Sequence, residues 1–263
     1  MMSYSVVIPA RNEAENIIYT LTSIKNQTLE PNSIVVVDDS SSDNTSEIAE
    51  SAGAKVIKIY RKSKVSALGT PYLAYVINKG LAFLENEKIS YILISGAECI
   101  YKNDYVELLM KNMIRDKVVV ASGIIEGERT SQLGVRGAGR LINFKWFKSV
   151  GFRYPLNYGF ESWLIFKALS TGFKVKVYPN IKFHILRKTS MNISKAYFYG
   201  KAMKALNYTS LFLLGRVLRM LVRRRVSEAK YMLLGYVHGE SNYDDLKNIV
   251  KYVQARRLLL FRL

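Results

Sequence analysis

Short runs of β-branched residues alternate along most of this chain with stretches whose apolar positions recur at helical spacing. The most compact run is IVVVDD at residues 34–39, four apolar residues that stop at two carboxylates. It is too short for a helix and lacks the alternation of a half-exposed strand. It therefore predicts a strand buried on both faces, in a parallel sheet covered by helices. Residues 4–8, closed by Pro9, form a second such strand, and residues 55–60, 91–95, 117–125, 175–178 and 181–185 complete the set. Between them, Ile17, Leu21 and Ile24 mark a helix that follows the polar residues 11–15. Ser42 or Asp43 opens a second helix that Gly53 closes, and further helices are expected over residues 72–84, over 104–113 and from Glu161 to about Gly172. This alternation predicts an α/β chain with a doubly wound, mainly parallel sheet.

In such sheets ligands collect beyond the carboxyl ends of the strands, where Asp38 and Asp39 fall. A second reading gives Asp39 and Ser40 only the task of capping the next helix. The polar turn 11–15 lies at another strand's carboxyl end, and the basic run Arg61, Lys62, Lys64 follows a third. Residues 126–140 are polar and contain Gly134, Gly137 and Gly139. Their order and distance from a strand do not suit a phosphate loop, so a mobile loop is expected.

Composition adds one outlying number. The 263 residues carry a formal charge of +18, which attracts polyanions: nucleic acid, an anionic membrane or phosphorylated substrates. The lone cysteine, Cys99, excludes an internal disulfide. Residues 1–5 lack the regions of a signal peptide, and no window supplies the ~20 apolar residues of a plain transmembrane helix. A cytoplasmic location is expected. The last sixty or so residues differ from the rest: apolar segments at 211–222 and 231–237 are interspersed with Arg216 and Arg219 and followed by Arg223, Arg224 and Arg225. A basic helical extension, residues 191–263, is therefore set apart from an α/β domain, residues 1–190. Its helices suit either a membrane interface or packing against the first domain or a second subunit.

Four sequence pieces stand in a telling order. Pro9-Ala10-Arg11-Asn12-Glu13 ends the first strand, and Val36-Val37-Asp38-Asp39-Ser40-Ser41-Ser42-Asp43-Asn44-Thr45 ends the second. Asn78-Lys79-Gly80 falls inside a helix, and Gly96-Ala97-Glu98 follows a buried strand. The first three match the P-x-x-N-E, V-V-D-D-x-S-x-D-x-T and N-x-G signatures of the inverting GT-A glycosyltransferases of family 2, which the chain resembles over roughly its first hundred residues. The fourth departs from the family's Asp-x-Asp: the first acid is lost and the second is Glu98.

The resemblance implies a nucleotide-diphospho-sugar transferase fold and transfer of a sugar from a UDP or GDP donor to a glycan, lipid-linked or polyprenyl-phosphate acceptor. It assigns donor binding to Pro9, Ala10, Asn12, Glu13, Asp38, Asp39, Asn78, Ala97 and Arg187, with Lys188 beside the last. A Mn2+ or Mg2+ ion would fall to Glu98 and His184, although one carboxylate plus water and diphosphate is a reduced set. His184 in an apolar strand is otherwise a core residue. Setting Leu164 and Gly172-Phe173 against the family's G-x-E-D-x-x-L region gives Glu161 the place of the catalytic base. An acid at a helix start is also favoured by the helix dipole alone. Lys145 and Trp146 fall where the family contacts its acceptor. Peripheral contact with the cytoplasmic face of a membrane and possible homo-oligomerisation complete the expectation. Two rivals remain: a catalytically inactive relative that binds sugar nucleotide or glycan, suggested by the altered Asp-x-Asp, and a nucleic-acid-binding protein, suggested by charge. The second leaves carboxylates at the strand ends that would repel phosphates.

Overall fold

The computed structural model describes residues 2–62, 66–128, 131, 133–187 and 191–260, with side chains described through Arg257. Lys64 and Lys188, and the end of the basic tail, lie outside the described residues. Two compact units are present. The first holds Met1–Lys64, Tyr75–Arg153 and Gly172–Lys188; the second holds Val65–Ala74, Tyr154–Thr171 and Thr189–Leu263. The helical unit thus takes in two earlier segments as well as the last seventy or so residues.

The strands of the first unit are β1 (Tyr4–Ala10), β2 (Ile34–Asp39), β3 (Lys55–Ile59), β4 (Tyr91–Ile94), β5 (Cys99–Tyr101), β6 (Val118–Ile125), β7 (Arg140–Asn143) and β8 (Lys174–Ile185). They form one sheet in the order β3-β2-β1-β4-β7-β6-β8-β5. Pairings among β1 to β4 are parallel, as is β6 with β8; β7 runs antiparallel to both its neighbours and β5 to β8. All six residues of β2 are buried, as its unbroken apolar run requires of a central strand.

Several details differ from the sequence expectation. β1 continues through Pro9 to Ala10 because its pairing with β4 ends at Val7 opposite Ile94, leaving only the β2 side to satisfy. The two segments around Pro179 are one strand, β8, in which Pro179 and Asn180 sit at a register shift opposite β6 and are exposed. The expected loop 126–140 includes residues 129, 130 and 132, outside the description, and its end is not loose. Arg140 opens β7 fully buried, donating from Nε to the Arg136 carbonyl at 3.0 Å and from Nη2 to the Val135 carbonyl at 3.2 Å.

Helices α1 (Ile17–Lys25), α2 (Thr45–Ser51), α3 (Pro71–Leu84), α4 (Tyr105–Asp116) and α5 (Phe144–Ser149) accompany these strands. The main core joins Ile17, Leu21 and Ile24 of α1 and Leu109 and Met113 of α4 to Val6, Ile8 and Val36 of the sheet. Gly80 brings α3 against the sheet: a Cβ there would lie 2.5 Å from Val7 Cγ1 and 3.0 Å from Val37 Cγ2. The register sets Ala10 beside Asp38 and Asp39 beside Ile59, so the loops after β1, β2 and β3 emerge side by side.

The second unit is built from α6 (Phe160–Ser170), α7 (Ile193–Ala205), α8 (Ser210–Val222), α9 (Val226–Val237) and α10 (Lys247–Leu260). α7 and α9 meet at backbone distance, since a Cβ on Gly200 would sit 2.1 Å from the Met232 carbonyl oxygen and one on Gly235 2.0 Å from that of Tyr197. Buried Gln254 of α10 accepts from the Thr209 backbone N–H at 3.0 Å and its hydroxyl at 2.9 Å, fixing the residue that caps α8. Among the described residues no helix is long and apolar enough to cross a membrane.

Candidate active site

The loops after β1 and β2 are laced together by their own motif residues. Asn12, in the left-handed region at φ 52°, donates its backbone N–H to Ser41 Oγ at 2.9 Å, while its side-chain oxygen accepts from the Ser42 N–H at 2.8 Å. Asparagine tolerates that backbone conformation better than most residues. The Glu13 N–H donates to Thr45 Oγ1 at 2.8 Å and the Ala14 N–H to Asp43 Oδ2 at 3.1 Å. Burial pushes the Asp43 carboxyl up, but the hydrogen bonds from Thr45 and Ala14 outweigh it and hold it below the ordinary range. Asp43 also accepts from the Thr45 N–H at 3.1 Å, at the start of α2, and Gly53 follows that helix at φ 77°.

The two adjacent carboxylates have different work. Asp38 accepts from the Ser41 N–H at 2.8 Å and from the Ser46 hydroxyl, so both of its oxygens hold the turn into α2. Asp39 faces Arg61 beyond β3, with Nη2 to Oδ2 at 2.8 Å and side chains 5% and 12% exposed respectively. Its Oδ1 is buried with no hydrogen-bond partner among the described residues. Arg61 is anchored by its backbone N–H to Ser40 Oγ at 2.8 Å, and that hydroxyl donates to the Ile59 carbonyl at 2.7 Å. The sequence marked Arg61 only as part of a basic run. Its pairing with Asp39 depends on β2 and β3 being neighbours in register.

A second charged group lies at the ends of β1 and β8. Buried Glu13 accepts from Asn16 Nδ2 at 3.0 Å and from the half-exposed guanidinium of Arg187. Glu98 is close enough for burial, then the Glu13 charge, to push its carboxyl above the ordinary range, with Arg187 opposing. Gly96 makes room for it: a Cβ at that position would lie 3.0 Å from Glu98 Oε2. The side chain lengthened by one methylene therefore folds back over the position that has lost its own. Ala97 is buried, its carbonyl accepting from Thr20 Oγ1 at 2.8 Å. Burial, then the Glu98 charge, pushes the Cys99 thiol up to about 12, so it is not a nucleophile at neutral pH.

Pro9 and Ala10 end β1, and Asn78 is half-buried on α3. His184 stands opposite Ile100 in the β5–β8 ladder with its side chain exposed, and the Leu186 N–H donates to the Glu98 carbonyl at 2.9 Å. His184 thus lies near Glu98 along the ladder and is not the core residue its apolar strand suggested. Among the described residues no three His, Cys, Asp or Glu side chains gather as a ready-made metal cage. The donor set here fits a hard cation only as one carboxylate, Glu98, completed by oxygens from a ligand and from water.

Trp146 needs correction as an acceptor contact. It is 4% exposed, with ring centroids 6.3 Å from Phe147 and 6.5 Å from Phe173, because α5 turns its aromatic face into the core. Only Lys145 of that pair is exposed. In the second unit, Glu161 is half-exposed in the first turn of α6, behind Gly159 at φ 80°. Tyr158, just before it, stacks on Phe198 of α7 at 5.8 Å and 27°, with Lys201 Nζ 5.1 Å from the Tyr158 ring centre. Nothing in the sequence pointed to this aromatic and basic cluster, since its members lie forty residues apart.

Comparison with known proteins bears on the fold and the family. The Mannosyltransferase PcManGT from Pyrobaculum calidifontis, solved with GDP-Man and Mn2+, superposes with a TM-score of 0.64 at 14% identity, covering 92% of this chain and 87% of that one. S. aureus TarS 1-349 with UDP-GlcNAc gives 0.60 at 16% identity, covering 94% and 76%. The fold is therefore that of the GT-A glycosyltransferases. A 4,4'-diaponeurosporenoate glycosyltransferase of Staphylococcus haemolyticus is 40% identical over 75 residues, which are 28% of this chain and one fifth of that protein's length. The family model described as Glycosyl transferase family 2 matches residues 5–173, from the first strand past Glu161, and the chain belongs to that family.

Proposed function

We propose that this chain is an inverting glycosyltransferase that moves a sugar from a uridine or guanosine diphosphate to a glycan, lipid-linked or polyprenyl-phosphate acceptor. The observation that carries this reading is Asp39: a buried carboxylate at a strand's carboxyl end, held on one oxygen by Arg61 and, among the described residues, without a hydrogen-bond partner on the other. A nucleobase N–H is the kind of donor that such an oxygen accepts. Asp38 and Asn12 are proposed to support nucleotide binding by shaping the loops that receive the donor.

The leaving diphosphate needs positive charge as its bond to the sugar breaks. Arg187, half-exposed beside Glu13 and Glu98, is the side chain proposed to supply it. A divalent cation held by Glu98 and diphosphate oxygens would add electrostatic stabilisation of the same leaving group. Glu161 is proposed to take the acceptor hydroxyl's proton as the acceptor oxygen bonds to the anomeric carbon and the diphosphate oxygen departs. A single displacement inverts the configuration there. With a phosphate acceptor no base is needed, and Glu161 would only position groups. Lys145, exposed on α5, remains a proposed acceptor contact. Peripheral contact of the basic helical unit with the cytoplasmic face of a membrane belongs to the same reading.

Calorimetric titration with UDP- and GDP-sugars, with and without manganese, tests the donor assignment. Failure to bind any of them would overturn it. The altered Gly96-Ala97-Glu98 favours one second reading, a relative that binds sugar nucleotide without turning it over. Binding without release of nucleoside diphosphate in the presence of acceptors would select that reading.

A further inference from the structure

α8 carries two apolar stripes, and its own unit uses one. Leu213 and Val217 are buried with Ala196, Met203, Ala229 and Met232. About 120° round the helix, Leu211, Leu214, Leu218 and Leu221 form a second stripe, with Val222 at the end of the helix beside it. Leu211 is 63% exposed, Leu218 53% and Val222 84%. Arg219, Arg223, Arg224 and Arg225 are exposed alongside, and residues 162–227 contain no aspartate or glutamate. An uncovered leucine stripe flanked by arginines, on a helix too short to span, has the form of an interfacial helix.

We propose that α8 and the arginines after it dock on the surface of an anionic phospholipid bilayer. The leucine stripe enters the boundary between headgroups and acyl chains, and the arginines meet lipid phosphates. The charge argues against a second copy as the occupant: a twofold contact through this face brings the same arginine cluster towards itself. This deepens the membrane contact proposed above by placing it on one helix face, and it rests on that part of the reading alone. The donor chemistry does not enter.

Co-sedimentation with vesicles of phosphatidylcholine, with and without an equal part of phosphatidylglycerol, tests it. The full chain is expected to pellet with the anionic vesicles only, and less so as salt rises. Arg223→Gln, Arg224→Gln and Arg225→Gln together should lower partitioning about a hundredfold. Leu214→Ser with Leu218→Ser, both at exposed positions, should lower it about tenfold or more. Donor affinity, measured on every variant, should match the parent, which shows that the variants are folded. Parent protein left in solution with anionic vesicles would overturn the proposal, even with donor binding intact. Variants that pellet like the parent would overturn it too, as would a concentration-dependent dimer lost in the leucine variant without vesicle binding.

Discussion

Arg61 Nη2 lies 2.8 Å from Asp39 Oδ2, and the pair closes the gap between the ends of β2 and β3 while leaving Asp39 Oδ1 without a hydrogen bond among the described residues. Asp39→Ala is expected to weaken nucleotide binding about tenfold or more, the worth of a hydrogen bond to a buried charge. Calorimetry on the folded variant reads this directly. Unchanged affinity would move the nucleobase elsewhere.

The same pair sets a stability prediction. Arg61→Met leaves a buried carboxylate without its counter-charge, which costs about 3–5 kcal/mol. Removing both charges, with Asp39→Asn added, should restore much of the loss. Urea denaturation of the single and double variants measures the difference, and a single variant as stable as the parent would contradict the pairing.

Glu98 gives a pH-dependent outcome. Burial, then the Glu13 charge, raises its carboxyl above the ordinary range, so the folded protein binds that proton more tightly than the unfolded chain does. Stability linked to this group is therefore present below the ordinary glutamate value and lost as pH rises through the raised one. Glu98→Gln, which carries no charge at any pH, should be more stable than the parent near neutrality, with the gap closing in acid. The same variant should lose any mutual enhancement between manganese and nucleoside diphosphate. Equal denaturation midpoints across the pH range would show that Glu98 is not desolvated.

Glu161→Gln tests the base. General base catalysis contributes about 10²–10⁴-fold, so transfer to a hydroxyl acceptor should fall by that order with donor affinity intact. A loss confined to donor binding would make Glu161 a donor contact. Near-normal turnover would point to a phosphate acceptor.

Gly80→Ala pits two effects against each other. Alanine gains about 1 kcal/mol over glycine inside a helix. A methyl 2.5 Å from Val7 Cγ1 and 3.0 Å from Val37 Cγ2 costs about 1–3 kcal/mol through overpacking. The contact with the central strands should win, giving a lower urea midpoint. A more stable variant would mean that α3 can lift off the sheet without loss.

The parts of the fold that could be read ahead were those with a continuous local signal. The IVVVDD run gave β2 and its buried place because nothing but a central strand suits four apolar residues ended by acids. β5, three residues long, and β7, which opens on Arg140 and ends on Asn143, carry too few apolar positions to announce themselves. Their strand character comes from β8 and β4 beside them. At the site, the motifs named Asp39, Glu13, Glu98 and Arg187 as candidates but gave neither the Asp39–Arg61 nor the Glu13–Arg187 pairing. Arg61 and Arg187 reach their carboxylates across the sheet, and such pairings are set by strand order. Trp146 was misplaced for a related reason: a tryptophan beside a lysine reads as surface until the direction of α5 is known.

The bond between Glu13 and Arg187 joins residues 174 positions apart. At synthesis rates of about 5–20 residues per second, the glutamate leaves the ribosome roughly 10–30 seconds before its guanidinium. β1 must likewise wait for β4, whose Tyr91 pairs with Tyr4. Contacts of such sequence separation form late, because the closure of long loops precedes any reward from pairing. A nascent chain that stops short of β8 already contains Asp39 and Arg61, yet it lacks both Arg187 and the strand against which β5, next to Glu98, pairs. The half of the site that holds Glu13 and Glu98 is thus completed only when synthesis reaches the last strand, which brings Arg187 to Glu13 and gives β5 its partner.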